Sequence, residues 1–438
     1  MTVEVAITEA VVAKGGAPTP AGAARWKIFL LGGLLMLLIN FSSPTGGLID
    51  IPASFFLKNK LHLEAHQLAV FKLWTGAPLF VGFMFGFLRD RWSPFGRGDR
   101  GHLVIFGLLT GLIYGTVTLF NPSYAVLLTG LFVATVAFQV VFSAAYGLTS
   151  SIGQQKAMAG QMSALVGCAH ALPSLASFVL GGLLSQALES RDAVTAAHTL
   201  FLVAAGLMAV IALFAVAGPR SLFNASHREP LTHHFTRDVA RLVRHWPVWP
   251  VVMIQFLWQF APAAGIVLQY HMSNTLHGTD AQWGLWNALF LGSFLPVYIL
   301  YGFLCQKVRL SRLLWFGFTL AVIQMAPLLW VRTADGALVA AVFMGLIGGI
   351  GQASLVDLAI RSCPPGLQGT MMMLFTSLYY FSVRFGDLFG AWLYDRHGGF
   401  VTAVWATIIV YALILPVLLL VPKRLIATTD GEALAVAA

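Results

Sequence analysis

The sequence predicts an all-α membrane protein of twelve transmembrane helices, laid out as two six-helix pseudo-repeats. Three observations point there: a shortage of charge, twelve apolar runs of spanning length, and motifs that recur at a near-constant offset. Of 438 residues, 58% are hydrophobic and 10% are charged. Soluble domains carry about 25% charged residues, so a surface built from this chain must face lipid over most of its area. The mean hydropathy of +0.80 agrees, as do 12 Trp, a residue that gathers at membrane interfaces.

A bilayer core of about 30 Å needs roughly 20 apolar residues in a helix. Such runs occur near 26–51, 68–88, 102–120, 124–148, 160–187 and 197–217. A second set lies near 248–270, 284–304, 312–331, 336–359, 368–393 and 400–421. Basic loop residues set the orientation. With both termini inside the cell, the cytoplasmic segments hold nineteen of the 26 basic residues and the outer loops hold five: Lys58, Lys60, Arg191, Arg332 and Arg396. The formal charge of +9 is spread over these short loops, which argues topology and no nucleic-acid partner. Cys168, Cys305 and Cys363 have neither disulfide nor metal-ligand spacing and read as packing residues.

The longest polar stretch, 218–246, divides a bundle at 25–217 from a second at 247–423. It has an apolar and a basic face, as a short interfacial helix would. His227, His233, His234 and His245 lie there without carboxylate or thiolate partners, so no metal is expected. Residues 1–24 read as a disordered cytoplasmic tail without signal-peptide architecture. The other tail, 424–438, reads as disordered from about Ala427.

Internal similarity joins the two bundles. SPTGGLI from Ser43 aligns with APAAGIV from Ala261, FGFLRDR from Phe85 with YGFLCQK from Tyr301, and AGQMSALVG from Ala159 with QGTMMMLFT from Gln368. The offsets are 218, 216 and 209, in chain order. Six-plus-six parallel repeats resemble the layout of the major facilitator superfamily (the MFS fold), in which solute sits at mid-membrane between two rocking halves. The stretch PASFFLKNKLHLEAHQLAVFKLWTGAPLFVGFMFGFLRDRWSPFGRGDRGHL at 52–103 resembles the folate-biopterin transporter family. That family has an SFFLK turn and, after its second helix, GFLSD followed by Pro, FG and a basic cluster. AIRSCPPGLQGTMMMLFTSL at 359–378 is similar to its ARLCPPG segment. The resemblance implies a secondary transporter, with a folate, a pterin or another anion as solute.

Candidate site residues follow from polar groups in costly places. The 86–101 loop resembles the superfamily's signature loop, which implies a cytoplasmic latch. Asp90 would be its carboxylate, stabilised by Arg89, Arg91, Arg97 or Arg100, or by the helix start near Gly369. The bland alternative is an ordinary basic loop. Asn40, Gln139, Gln255 and Gln259 lie near mid-depth in spans one, four and seven, which line the cavity in this superfamily. Each could bind solute or join two helices. Arg384 and Asp387 share a face of span eleven at i, i+3. They read as an anion-binding Arg with a proton-carrying Asp, or as a structural ion pair. His170 in span five is a second proton carrier or a packing histidine. Asp357 and Arg361, at i, i+4, suggest a gating salt bridge. Asp50 and Lys72 lie near the outer ends of spans one and two. Pro44, Pro262, Pro173 and Pro296 are expected to interrupt spans one, seven, five and eight.

The expected activity is alternating-access transport of a small organic solute, proton-coupled or facilitative, by a monomer in a bacterial inner membrane. No phosphate-binding loop, zinc-protease motif or nucleophile elbow occurs, so neither enzyme chemistry nor a cofactor is expected. A receptor or assembly factor on this scaffold, or an intramembrane enzyme or lipid flippase, is the alternative.

Overall fold

In a computed structural model the described residues are 22–223 and 235–432. They form helices α1 (Gly22–Phe41), α2 (Asp50–Asn59), α3 (Ala65–Phe80), α4 (Gly82–Arg91), α5 (Gly98–Val117), α6 (Tyr124–Gln155), α7 (Ala159–Glu189) and α8 (Ala193–Ala217). Two short helices follow, α9 (Arg220–Phe223) and α10 (Phe235–Arg244). The second half holds α11 (Val248–Gln259), α12 (Gly265–Asn274), α13 (Asp280–Leu304), α14 (Leu310–Val322), α15 (Ala334–Ser362) and α16 (Gln368–Arg396). It ends with α17 (Gly399–Ala412), α18 (Ile414–Leu418) and α19 (Lys423–Ile426). His227, His233 and His234, with nearly all of the expected N-terminal tail and the last six residues, lie outside the described residues.

Nine helical segments among the described residues are long and apolar enough to span a membrane. The remaining three passes explain themselves. The first and seventh are broken into α1–α2 and α11–α12, and α16 carries Arg384 and Asp387 among its hydroxyl groups. With these included the chain crosses twelve times, and both described ends fall on one face, called basal here; the opposite face is distal.

Four helices that start at the distal face are capped locally. The side chains of Ser123, Asp192, Thr279 and Thr333 accept N–H bonds from the first turns of α6, α8, α13 and α15. Such a cap contributes about 1 kcal/mol. Two helices that start at the basal face, α7 and α16, follow Met158 and Leu367, which cannot cap. Their N-termini therefore need carboxylates from elsewhere.

The broken passes differ from the proline reading in an instructive way. Pro44 and Pro262 lie within the breaks at 42–49 and 260–264. Pro173 and Pro296 lie inside continuous α7 and α13, so they interrupt nothing. A proline alone removes one hydrogen bond, which a helix packed in a bundle tolerates. A break needs more. At the first, a Cβ on Gly47 would meet the Ser43 carbonyl oxygen at 2.3 Å. At the second, Gly265 adopts φ +56°, a left-handed value costly for other residues. The freed backbone is paired again by neighbours: Ala263 N–H donates to Thr407 Oγ1 at 2.9 Å, and Ile266 N–H to Asp387 Oδ1 at 3.4 Å.

Within the second half, small residues let backbones touch, as lipid-embedded bundles require. A Cβ on Gly317 of α14 would lie 2.7 Å from the Gly351 backbone nitrogen of α15. Gly317→Ala is therefore expected to lower thermal stability by about 1–3 kcal/mol. Gly206→Ala, with open space around it, is the matched neutral control; fluorescence-detected melting in detergent checks both.

Candidate functional site

The basal ends of the two halves are locked by buried charge. Asp90, at the end of α4, has its side chain fully buried. Its Oδ1 accepts from Arg89 Nη1 at 2.7 Å and Gly369 N–H at 3.1 Å, and its Oδ2 accepts Thr370 N–H and Thr370 Oγ1, both at 2.7 Å. The carboxylate thus sits on the N-terminus of α16, where the first N–H groups lack intrahelical partners and the helix dipole favours an anion. Arg89 also grips Asp99 through Nε at 2.6 Å and Nη2 at 2.5 Å. A buried charge is tolerated only when paired and hydrogen-bonded, and the Asp99–Arg89–Asp90 chain meets that condition.

Glycines make room for it. A Cβ on Gly147 would lie 2.6 Å from the Arg89 Cζ, and one on Gly369 would lie 2.7 Å from both Arg89 Cδ and Asp90 Oδ1. The SAAYG segment in α6 thus supplies a flat floor for the guanidinium. Asp90 meets the helix start at Gly369, and Arg89 is the cation that binds it through Nη1. Arg91 and Arg97 are exposed at the surface. Arg100 donates to the Val216 carbonyl and lies 6.0 Å from the Phe223 ring centroid. Asp99 was legible in principle, because GRGDRG placed a lone acid among arginines.

Asp357 and Arg361 form a second buried group. Arg361 Nε donates to Asp357 Oδ1 at 2.7 Å, and the Tyr301 hydroxyl to Asp357 Oδ2 at 2.8 Å. The third member is Asp430, from a tail expected to be disordered. Arg361 Nη2 donates to Asp430 Oδ1 at 3.1 Å. Residues 427–432 are seated against the basal face, because this tail satisfies donors that nothing nearer in sequence can reach.

Other bonds between the halves follow the same face inward. Gln154 Nε2 donates to the carbonyls of Ile360 and Cys363, and Ser163 Oγ to that of Ala353. Ser377 Oγ donates to the Leu79 carbonyl at 3.1 Å, near mid-depth. Gly82 allows that approach, since a Cβ there would be 2.9 Å from Ser377 Oγ. Among the described residues, no observed hydrogen bond between the halves lies on the distal side of this one, so the protein is closed basally.

The mid-depth amides divide. Asn40 donates to the Met36 carbonyl and lies against the Tyr146 hydroxyl. Gln259 lies 3.4 Å from Gln352 Oε1, which also accepts from Trp258 Nε1. Each of these two bonds within its own half and stays partly exposed. Gln255 is buried and donates to the Phe375 carbonyl, an α11–α16 tie. Gln139 is 1% exposed and finds no partner for either amide atom, so a solute does not reach it in this conformation. His170 is exposed on α7, seven residues from Ser163 and so on the face turned toward the second half.

Arg384 Nη1 is 3.6 Å from Asp387 Oδ2; the Arg side chain is 63% exposed and the Asp 11%. Asp387 accepts from Ile266 N–H, so it serves α12 as well as Arg384. Around them Phe80 meets Tyr380 and Phe381 edge-on at 6.3 and 5.1 Å, and Phe142 lies 4.2 Å from Tyr146. No cluster of three or more metal-ligating side chains occurs among the described residues. All three cysteines are free.

The Major Facilitator Superfamily profile matches residues 57–386. The chain belongs to the Major Facilitator Superfamily. Solved structures share the fold of this superfamily member at low identity. FucP, the E. coli fucose:proton symporter, in its outward conformation has TM-score 0.68 at 14% identity, covering 90% of this chain and 98% of FucP. The proton:xylose symporter XylE bound to 6-bromo-6-deoxy-D-glucose has TM-score 0.67 at 14% identity, covering 93% and 98%. The human organic anion transporter MFSD10 (TETRAN) has TM-score 0.63 at 16% identity, covering 91% and 100%.

Removing one member of a buried pair strands the others. Asp90→Ala is expected to destabilise the basally closed protein by about 3–5 kcal/mol. Arg97→Ala should leave it unchanged within about 0.5 kcal/mol. Melting curves of the two variants side by side check both.

Proposed function

We propose that this superfamily member is a secondary transporter that moves a small organic anion by alternating access, with Arg384 as its anion-binding group. The observation that carries the reading is an arginine deep in a spanning helix whose side chain is mostly exposed. A cation at that depth costs at least about 2.5–3.5 kcal/mol if it faces lipid. It is retained where it faces water or solute between the halves. The rings of Tyr379, Tyr380 and Phe381 on the same helix suit a planar solute, so pterins and folates, which the 52–103 segment suggests, belong in the first panel. The basic-residue distribution supports a basal face that is cytoplasmic.

Asp387 is the carboxyl through which a proton would couple to transport. Its carboxylate joins Arg384 to the start of α12. Protonation would release the guanidinium and loosen the half-helix together, linking proton uptake to solute exchange. His170 is the second carrier, facing the same space. Asn40 and Gln259 supply neutral contacts to the solute.

Register supports a matching distal gate. On the helix pair that closes the basal side, Gly86 lies against Thr370 and Leu79 against Ser377. Seven residues further along each helix are Lys72 and Arg384. Lys72 is held to Asp50 at 3.5 Å, as Arg384 is to Asp387. Rocking that closes the distal side would bring these two ion pairs face to face, and each carboxylate could then serve both cations.

Proteoliposomes loaded with pterins, folates, carboxylates, nucleosides and sugars test the reading, with and without a pH gradient. Arg384→Ala is expected to cut anion uptake at least about tenfold, a loss of roughly 1.4 kcal/mol. No exchange of any solute by the intact protein would instead favour a receptor or assembly role. For the gate, a Lys72→Cys, Arg384→Cys pair should cross-link only when the distal side closes.

A further inference from the structure

The repeat makes an omission visible. Gly160 and Gln161 at the start of α7 correspond to Gly369 and Thr370 at the start of α16. The carboxylate that caps α16 is Asp90, and its counterpart in the second half is Gln306, with Cys305 in place of Arg89. Gln306 is exposed and, among the described residues, bonds along its own helix to the Gly302 carbonyl. The second half therefore lacks the acid that the first half supplies, yet the start of α7 is not left bare. Asp430 Oδ1 accepts Gly160 N–H at 3.1 Å and its Oδ2 accepts Gln161 N–H at 2.8 Å.

We propose that the C-terminal tail is the second lock of the transport cycle: Asp430 caps α7 of the first half while held by Arg361 of the second. This rests on the alternating-access reading and adds a positioning residue to it. The two locks have the same chemistry from different chain positions. Asp99–Arg89–Asp90 ends on α16, and Asp357–Arg361–Asp430 ends on α7.

The tail is fastened along its length. Arg361 Nη1 donates to the carbonyl and hydroxyl of Thr428 at 3.1 and 3.0 Å. Asp430 N–H donates to the Cys305 carbonyl at 2.9 Å, and Gly431 N–H crosses to the Ala157 carbonyl at 2.7 Å. Gly160 permits the close fit, because a Cβ there would lie 2.6 Å from Cys305 Cβ and 2.7 Å from Asp357 Oδ2. Opening the basal side must therefore lift the tail from α7 or from α15.

Acidity enters through the same contacts. Asp430 faces Arg361 and Asp357 on α15 and Cys305 on α13, where Tyr301 also reaches Asp357. Burial and the neighbouring Asp357 push its pKa up to about 6. A carboxyl whose pKa rises on seating takes up a proton as it seats. Seating is therefore strongest below the ordinary aspartate range and weakens as pH rises through about 6.

Two native cysteines report the outcome in the intact protein. Cys305 lies under the tail, its Sγ 3.6 Å from Asp430 Oδ2. Cys363 lies between the halves, against Ser150 Oγ at 3.4 Å. In nanodiscs, a membrane-impermeant maleimide followed by peptide mass spectrometry reads each rate separately, with no substrate needed. Asp430→Ala, which removes the acceptor altogether, is expected to speed labelling of both cysteines at least about tenfold, with unchanged melting of the distal-capped helices by hydrogen exchange. Faster Cys305 with unchanged Cys363 would overturn the lock, leaving the tail a mere cover. Unchanged Cys305 would overturn the seating itself. In the wild type, Cys305 labelling, normalised to a free thiol, should rise from pH 5 to pH 7.5, and that rise should vanish in Asp430→Ala. A rise that persists in Asp430→Ala would refute the role of this carboxyl.

Discussion

The start of an α-helix carries N–H groups with no intrahelical partner, and inside a bundle another group must be brought to meet them. Three helix starts in this protein are met by aspartates from other elements. Asp90 serves α16, Asp430 serves α7, and Asp387 serves α12. In each case the same need joins pieces of chain that could otherwise move apart. Where the acid and the helix belong to different halves, the bond ties the halves together and is the proposed lock. Where both belong to one half, as with Asp387, the bond stitches a broken pass.

This arrangement explains why the locks can open. Each carboxylate also binds an arginine on its own side, Arg89 or Arg361, so it is not stranded as a lone charge if the helix start leaves. An anion at a helix start contributes up to about 2 kcal/mol in partly buried geometry, a size that solute or proton binding can match. The glycines at 147, 160 and 369 set the distance, since any side chain there would meet the charged groups below 3 Å. The same economy of space holds at mid-depth, where Gly82 brings Ser377 to the Leu79 carbonyl.

The residues proposed to bind solute and carry a proton lie largely on the passes that are least like ordinary spanning helices. The first and seventh are broken, and the eleventh is too polar to pass as apolar by composition. Breaking a helix inside a membrane is tolerated only where the freed backbone finds protein partners, and Thr407 and Asp387 fill that role at 260–266. Arg384 stands beside this repaired break, so the residue proposed to bind solute shares a carboxylate with the joint that can flex.

Much of the fold was legible in sequence because it rests on composition and periodicity. Twelve spans and two related halves followed from local patterns, while the sequence offered the start of α16 as one of several alternatives for Asp90. The i, i+4 pair of Asp357 with Arg361 and the i, i+3 pair of Arg384 with Asp387 were equally readable, since one helix carries both members. What escaped were contacts between distant segments. Pro173 and Pro296 do not break their helices because neighbouring packing outweighs one missing bond. Gln139, readable as a cavity amide, is buried because side-chain direction depends on how α6 is rotated in the bundle. Asp430 sits in a tail whose composition signals nothing, and only the folded chain brings it to Gly160, 270 residues away. Sequence alone determined which segments cross the membrane, through the cost of burying charge and unpaired backbone. Tertiary structure decided which acid meets which helix start, because that choice depends on proximity in space and not along the chain.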